Sequence, residues 1–215
     1  MSAVIVNSRA EAERDDGLPA RLQKFIENEC GPDSRVANLA AMEDGHAGLT
    51  FGFDIMGAAG EPLDSYVLKL APAGVTRRGN TDVYRQAPLL RALKAAGMPV
   101  PAVPWASPDE DELGTPFIVM ERLPGRVFLV WEPHGSFPRD PIRLRGVWLQ
   151  AAQMQARLHK VDWQKWLPEW ERPRPLSEEL AYWTPLLRHA QEPDWLAAGT
   201  ELRALLAAHL PDSEL

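Results

Sequence analysis

The order of elements around Lys69 constrains the fold of this chain more than any other feature of its sequence. Lys69 lies near the end of an apolar strand-like run, Tyr66–Leu70. A glycine-containing turn, Asp44–Gly48, precedes it between two strand-like runs. A helical segment follows, and then a second apolar run, Phe117–Glu121, which ends in an acid. The sequence therefore predicts strands on both sides of one helix, with a lysine fixed near a strand end.

The chemistry of a phosphate tail explains why these residue types belong together. Glycine lets the backbone approach phosphate oxygens closely, and a strand lysine supplies a fixed cation. A glycine turn, a strand lysine, a helix and a further strand, in this order, are the parts of a kinase-type nucleotide site. We therefore predict that Gly45, His46, Ala47 and Gly48 cover the phosphates and that Lys69 binds them. The alternatives are a lysine that reaches solvent and ordinary hairpin glycines.

Composition limits the classes of partner. The chain has 215 residues, enough for one large domain or two small ones. Its formal net charge of -7 argues against nucleic-acid and anionic-membrane partners, since both need a basic surface. Cys30 is the only cysteine, which excludes an intrachain disulfide and a cysteine-based zinc site. Met1–Asn7 lacks the features of a signal peptide, and no apolar run approaches the ~20 residues of a membrane helix. We expect a cytoplasmic protein.

Hydrophobic spacing and turn residues predict the order of helices and strands. Pro88 falls inside a predicted helix and removes the hydrogen bond to Tyr84, which predicts a kink or a split there. The predicted helices cover about 18–29, 82–96, 142–160, 177–190 and 194–209, and the predicted strands lie near 34–43, 49–57, 65–70, 100–106 and 117–121.

Several short strings, taken in order, resemble one family. The chain is similar to the aminoglycoside phosphotransferase-like kinases, in particular the kinase-like domains associated with acyl-CoA dehydrogenases. The resemblance covers roughly residues 40 to 162. The matching strings are Gly48-Leu49-Thr50-Phe51, Tyr66-Val67-Leu68-Lys69, Val83-Tyr84-Arg85-Gln86, Leu89-Leu90-Arg91-Ala92-Leu93, Gly97-Met98-Pro99-Val100-Pro101, the run from Gly114 to Gly125, and Leu158-His159-Lys160-Val161-Asp162.

The resemblance implies an α+β, protein-kinase-like fold with an antiparallel-sheet N-lobe and a partial, helical C-lobe. It implies ATP or GTP with magnesium as the phosphate donor and a small hydroxylated acceptor. The strand end Met120, Glu121, Arg122 and Leu123 would meet the base, although the same run also fits a simple edge strand. The implied domains are a flexible N-terminus at 1–17, an N-lobe with the nucleotide-binding elements at 18–122, a Pro- and Gly-rich linker at 123–141 and the C-lobe at 142–215.

The sequence departs from the family pattern at the chemical positions. Asp44–Gly48 stands where the family commonly has Gly-Gly-x-Ser-Asn, and Gln86 stands where an acid should pair with Lys69. Asp82, one helical turn earlier, is the alternative partner of that lysine. The family's catalytic loop and metal-binding aspartate would lie beyond position 215, so we expect no catalytic residue and no magnesium ligand here, and an inert isolated chain.

Two functions therefore compete. The first is the N-terminal portion of a small-molecule phosphotransferase. The second is a non-catalytic nucleotide-binding or interaction module, a pseudokinase or a gene remnant. An apolar stripe near the chain end predicts either a homodimer or a further segment that covers it; its residues are Leu202, Leu205, Leu206 and Leu210.

Overall fold

A computed structural model describes residues 17–42, 49–72, 77, 82–129 and 134–211. The chain divides into two compact units, Met1–Pro168 and Glu169–Leu215. The predicted lobes at 18–122 and 142–215 and their linker stay a prediction. The elements are α1 (Leu18–Cys30), β1 (Arg35–Ala41), β2 (Leu49–Met56), β3 (Pro62–Leu70), α2 (Gln86–Ala95), β4 (Trp105–Ser107), β5 (Phe117–Glu121), α3 (Pro141–Leu158), α4 (Trp163–Trp166), α5 (Leu176–Trp183), a 3-10 helix (Thr184–His189) and α6 (Pro193–Ala208).

The first unit contains a five-stranded sheet in the order β1-β2-β3-β5-β4, and every neighbouring pair is antiparallel. Alternating residues of a strand point to opposite faces, so the sheet has two distinct sides. We call the side covered by α1 the first face. There Phe25 of α1 packs edge-on against Phe117, with ring centroids 5.2 Å apart. The core of this face consists of Leu18, Leu22, Phe25, Ile26, Leu49, Phe51, Phe53, Ile55, Leu68, Leu70, Leu113, Phe117 and Val119.

The opposite side, which we call the second face, carries helix α2. A smaller core forms here, and it includes Val83 and Ala87, which flank the start of the helix, and Ile118 of β5. In β2 and β3 the residues that alternate with the first-face core are Thr50, Gly52, Val67 and Lys69, so these lie on the second face. The second face is thus the side of the sheet on which the predicted nucleotide lysine lies.

Helix α2 differs from its prediction at its N-terminal end. It begins at Gln86 instead of residue 82, and the two residues before it form a turn. Pro88 therefore lies in the first turn, where a backbone N–H has no partner within the helix, so proline costs little there. The predicted kink or split at Pro88 is wrong because the helix starts late instead of bending.

The second unit is helical, and one predicted helix in it is divided. The segment predicted as 177–190 forms α5 and then a separate 3-10 helix. Pro185 explains the change, since it supplies no N–H to continue an α-helix. Gly199 of α6 lies so close to this 3-10 helix that a Cβ there would meet Leu187 Cδ2 at 2.5 Å. In α6, Leu202, Leu205 and Leu206 are about half exposed.

None of the described helices is long and apolar enough to cross a membrane.

Candidate functional site

Lys69 is held by Gln86, one of the two partners that the sequence offered for it. It is partly buried near the end of β3, and its Nζ donates to Gln86 Oε1 at 2.8 Å. The predicted pairing with an amide is confirmed. Asp82, the alternative partner, instead accepts a hydrogen bond from the Arg85 backbone N–H at 3.1 Å, ahead of α2. The strand lysine and the helix residue are therefore in contact, with a neutral amide where the sequence resemblance implies an acid.

The environment of Lys69 disfavours its charge. Burial lowers the pKa of the Lys69 ammonium below its ordinary value of 10.5, and no described carboxylate acts in the opposite direction. A paired acid would raise this pKa, whereas an amide oxygen accepts a hydrogen bond without a full negative charge. The Lys69 amine therefore has no neutralising carboxylate among the described residues.

The position of Gln86 adds to this imbalance. Gln86 is the first residue of α2, so the lysine lies at the helix end that carries a partial positive charge. The Gln86 oxygen faces the ammonium, and its amide N–H groups find no acceptor among the described residues. The backbone N–H groups of Gln86 and Ala87 bond to Val83 O and Tyr84 O, so the donors at this end of the helix are the Gln86 side-chain N–H groups.

Thr50 lies opposite Lys69, although the sequence did not single it out as a candidate. It pairs with Lys69 across the β2–β3 ladder and lies on the same face. Side chains at such positions have Cβ atoms about 4.5–5.5 Å apart. The Thr50 hydroxyl oxygen is buried, and within the described ranges it has no hydrogen-bond partner. The sequence could have indicated Thr50 only through the alternation of residues along β2, and that alternation places Thr50 beside Lys69 only once the register between β2 and β3 is known.

The predicted base-binding segment begins in β5. Met120 packs against the second-face core. The Glu121 carboxylate accepts from the Ala102 N–H at 3.1 Å and from Lys94 at 3.4 Å, and these bonds, the backbone one first, hold its pKa below the ordinary value. Glu121 thus anchors the segment structurally. Leu123 is exposed, and its backbone N–H makes no hydrogen bond to any described residue.

Arg122 is attached to the sheet through its backbone and covers part of the second face with its side chain. Its N–H donates to Ser65 O at 3.0 Å. A Cβ placed on Gly52 would stand 3.3 Å from Arg122 Nη1, so glycine leaves room for the guanidinium. Nearby, hydrogen bonds from Ser65 and then Asn38 lower the pKa of the Asp54 carboxyl. The Asp54 carboxylate therefore bonds to side chains of the neighbouring strands.

Gly45, His46, Ala47 and Gly48 lie outside the described residues, so the phosphate turn stays a prediction. Within the described part of the chain, no group of three His, Cys, Asp or Glu side chains is placed to hold a metal ion.

Comparison with known proteins gives the family. The family model described as "Phosphotransferase enzyme family" (APH) matches residues 56–215, which is most of the chain. The chain belongs to this family. The resemblance seen in the sequence is confirmed, and the family match includes Lys69, Gln86 and the segment from Met120 to Leu123.

Two curated relatives match parts of the chain. It is 33% identical over 99 residues, 46% of its length, to "Acyl-CoA dehydrogenase family member 10" of Mus musculus. It is 30% identical over 138 residues, 63% of its length, to "Probable acyl-CoA dehydrogenase IBR3" of Arabidopsis thaliana. The matched spans amount to 9% and 16% of those proteins.

A solved structure shares the fold. It is a "putative aminoglycoside phosphotransferase" from Ralstonia eutropha, with a TM-score of 0.64 and 20% identity. The match covers 90% of this chain and 54% of that one. At this identity the likeness shows the fold alone, and it confirms the predicted α+β, kinase-like class with its antiparallel sheet.

Proposed function

We propose that this chain binds a nucleoside triphosphate, ATP or GTP, on the second face of its sheet, as the donor side of a small-molecule phosphotransferase. The observation that carries the proposal is the Lys69 ammonium, partly buried and directed by Gln86 on the face where α2 packs. Even a partly buried cation is unfavourable without a neutralising acid, and a bound anion would compensate for it. A phosphate tail is such an anion, and lysine is a common phosphate ligand.

The segment at Met120, Glu121, Arg122 and Leu123 would receive the base through its backbone. Support comes from the Leu123 N–H, which has no described acceptor, and from the Glu121 carboxylate, which fixes the segment to Ala102 and Lys94. A purine edge presents both acceptors and donors, so it can bond to such a backbone. Gly45–Gly48 would cover the phosphates. The acceptor would be a small hydroxylated molecule, as the family implies.

A second candidate is a non-catalytic nucleotide-binding module. The specific observation in its favour is Gln86, because an amide cannot neutralise Lys69 as the family's acid does. The two candidates differ in what happens to bound nucleotide. With γ-labelled ATP and magnesium, a phosphotransferase should release or transfer labelled phosphate, and a module should return the nucleotide intact.

The binding proposal is tested by titrating ATP calorimetrically into the wild type and Lys69→Ala. Loss of a charge-assisted donor should weaken binding at least about tenfold, since such hydrogen bonds contribute ~1.5–3 kcal/mol. Lys24→Ala is the matched control, because Lys24 is exposed on α1, which covers the opposite face. Equal affinities for the wild type and Lys69→Ala would remove Lys69 from the site.

A further inference from the structure

The groups around Lys69 are donors, and the nearby carboxylates are engaged elsewhere. The Gln86 amide N–H groups and the Thr50 hydroxyl have no acceptor in the described structure. Asp82 accepts from the Arg85 N–H, and Glu121 accepts from Ala102 and Lys94. Among the described residues, Lys69 therefore bonds to an amide and lies opposite a hydroxyl, and no carboxylate bonds to it.

This donor set does not fit the divalent cation that the family implies. Magnesium binds through carboxylate and water oxygens, usually together with substrate phosphates. An ammonium and amide N–H groups repel a cation and bind phosphate oxygens directly. A phosphate tail that meets Lys69, Gln86 and Thr50 would have part of its negative charge balanced by these groups without a metal ion.

We propose that the second-face site of this chain binds its nucleoside triphosphate in the metal-free form. The inference rests on the proposed nucleotide function and specifies the ionic form of the ligand. Lys69 and the Gln86 amide donate to phosphate oxygens, and the Thr50 hydroxyl donates beside them. Magnesium competes for the same oxygens and lowers the negative charge of the nucleotide, so it weakens binding or leaves it unchanged.

The first test is titration of ATP into the wild-type protein in EDTA and, separately, in magnesium chloride. The proposal expects ATP to bind in EDTA at least as tightly as in magnesium. Binding that disappears in EDTA and returns with magnesium would overturn it, while the proposed nucleotide function would stand. Absence of binding under both conditions would instead overturn the proposed function, and this inference with it.

Gln86→Glu tests the donor argument directly. A carboxylate removes the amide donor, neutralises Lys69 and repels phosphate, so affinity for ATP in EDTA should fall about tenfold or more. Affinity for magnesium-bound ATP should fall less, because that form is less negative. Gln153→Glu is the matched control, since Gln153 is exposed on α3 and the net charge changes equally. Equal losses in EDTA and magnesium would overturn the proposal.

Thr50→Val supplies an independent arm, because valine keeps the shape of threonine and removes only the hydroxyl. Loss of one neutral donor should weaken ATP binding in EDTA by about two- to tenfold. An unchanged ATP affinity of Thr50→Val would exclude the Thr50 hydroxyl from the site. If the ATP affinity of Gln86→Glu were unchanged as well, the proposal would be overturned.

Discussion

Replacing Gln86 by glutamate should make the protein more stable while weakening its affinity for metal-free nucleotide. Lys69 Nζ lies 2.8 Å from Gln86 Oε1, so a glutamate oxygen can take the same place without moving the backbone. The new carboxylate would stand at the first position of α2, where a negative charge also interacts favourably with the helix end. Both effects favour the folded protein.

The magnitude follows from opposing terms. Two unit charges about 4 Å apart attract by about 4 kcal/mol at an effective dielectric constant of about 20. Dehydration of the new carboxylate offsets much of this, although less than in a deep core because Lys69 and Gln86 are both only partly buried. Adding ~0.3–1 kcal/mol from the helix end, we expect a net gain of about 1–2 kcal/mol. For a chain of this size that raises Tm by about 2–8 °C.

Thermal melting of the wild type and Gln86→Glu at neutral pH and low salt measures this gain. Gln153→Glu makes the same charge change on an exposed position of α3 and should stay within about 0.5 kcal/mol of the wild type. High salt should reduce the gain only in part, since partly buried pairs are screened less than exposed ones. A Tm equal to or below that of the wild type would refute the view that Lys69 lacks a neutralising partner.

Four further outcomes are expected. Thr50→Val should raise Tm, because a buried hydroxyl without a partner costs about 1–3 kcal/mol; a lower Tm would mean that the hydroxyl is satisfied. Phe53→Ala, at a position with no exposed surface, should lower the free energy of unfolding by about 3–5 kcal/mol in denaturant titrations. Burial lowers the pKa of Lys69 in the folded chain. At a pH between this lowered pKa and the ordinary value of 10.5, the unfolded chain therefore keeps a proton on Lys69 that the folded chain has released. The free energy of unfolding should therefore rise with pH up to about 10.5, and Lys69→Met should lack this rise when the two melting series are compared. Leu205→Glu should reduce self-association of the protein in light scattering, since Leu205 is 56% exposed in an apolar stripe. A wild-type protein that is already a monomer would contradict this prediction.

The elements that the sequence predicted well are those whose hydrophobic spacing is regular. Helix α1 and strand β2 form close to their predicted limits, because their buried residues repeat or alternate as one covered face requires. Strand β5 also keeps its predicted limits, as a short apolar run that is buried on both faces. The Lys69–Gln86 contact was one of two pairings that the sequence offered, and position 86 followed from the family resemblance. The role of Lys69 in nucleotide binding does not follow from this contact and remains a proposal.

The features that the sequence missed depend on register and on helix starts. Thr50 joins Lys69 only because β2 and β3 pair with these two residues opposite each other, and alternation within one strand does not fix that pairing. Pro88 marked a disturbed helix but did not show whether the helix bends or begins late. The neighbouring residues decided this: Ala87 N–H bonds to Tyr84 O in a turn ahead of the regular helix.

The late start of α2 and the presence of Gln86 where the family resemblance implies an acid both leave the Lys69 charge less balanced. Had the helix begun at residue 82, its positive end would lie about one turn, ~5.4 Å, farther along the axis from Gln86, and its influence falls off within the first turn. Beginning at Gln86, it adds a partial positive charge beside a lysine whose partner is neutral. Each feature alone weakens the balance of charge that an acid would give, and together they leave an ammonium and the Gln86 amide hydrogens side by side at the start of α2. An anion is the ligand that these groups select, and the charge of that anion is what the EDTA and magnesium titrations measure.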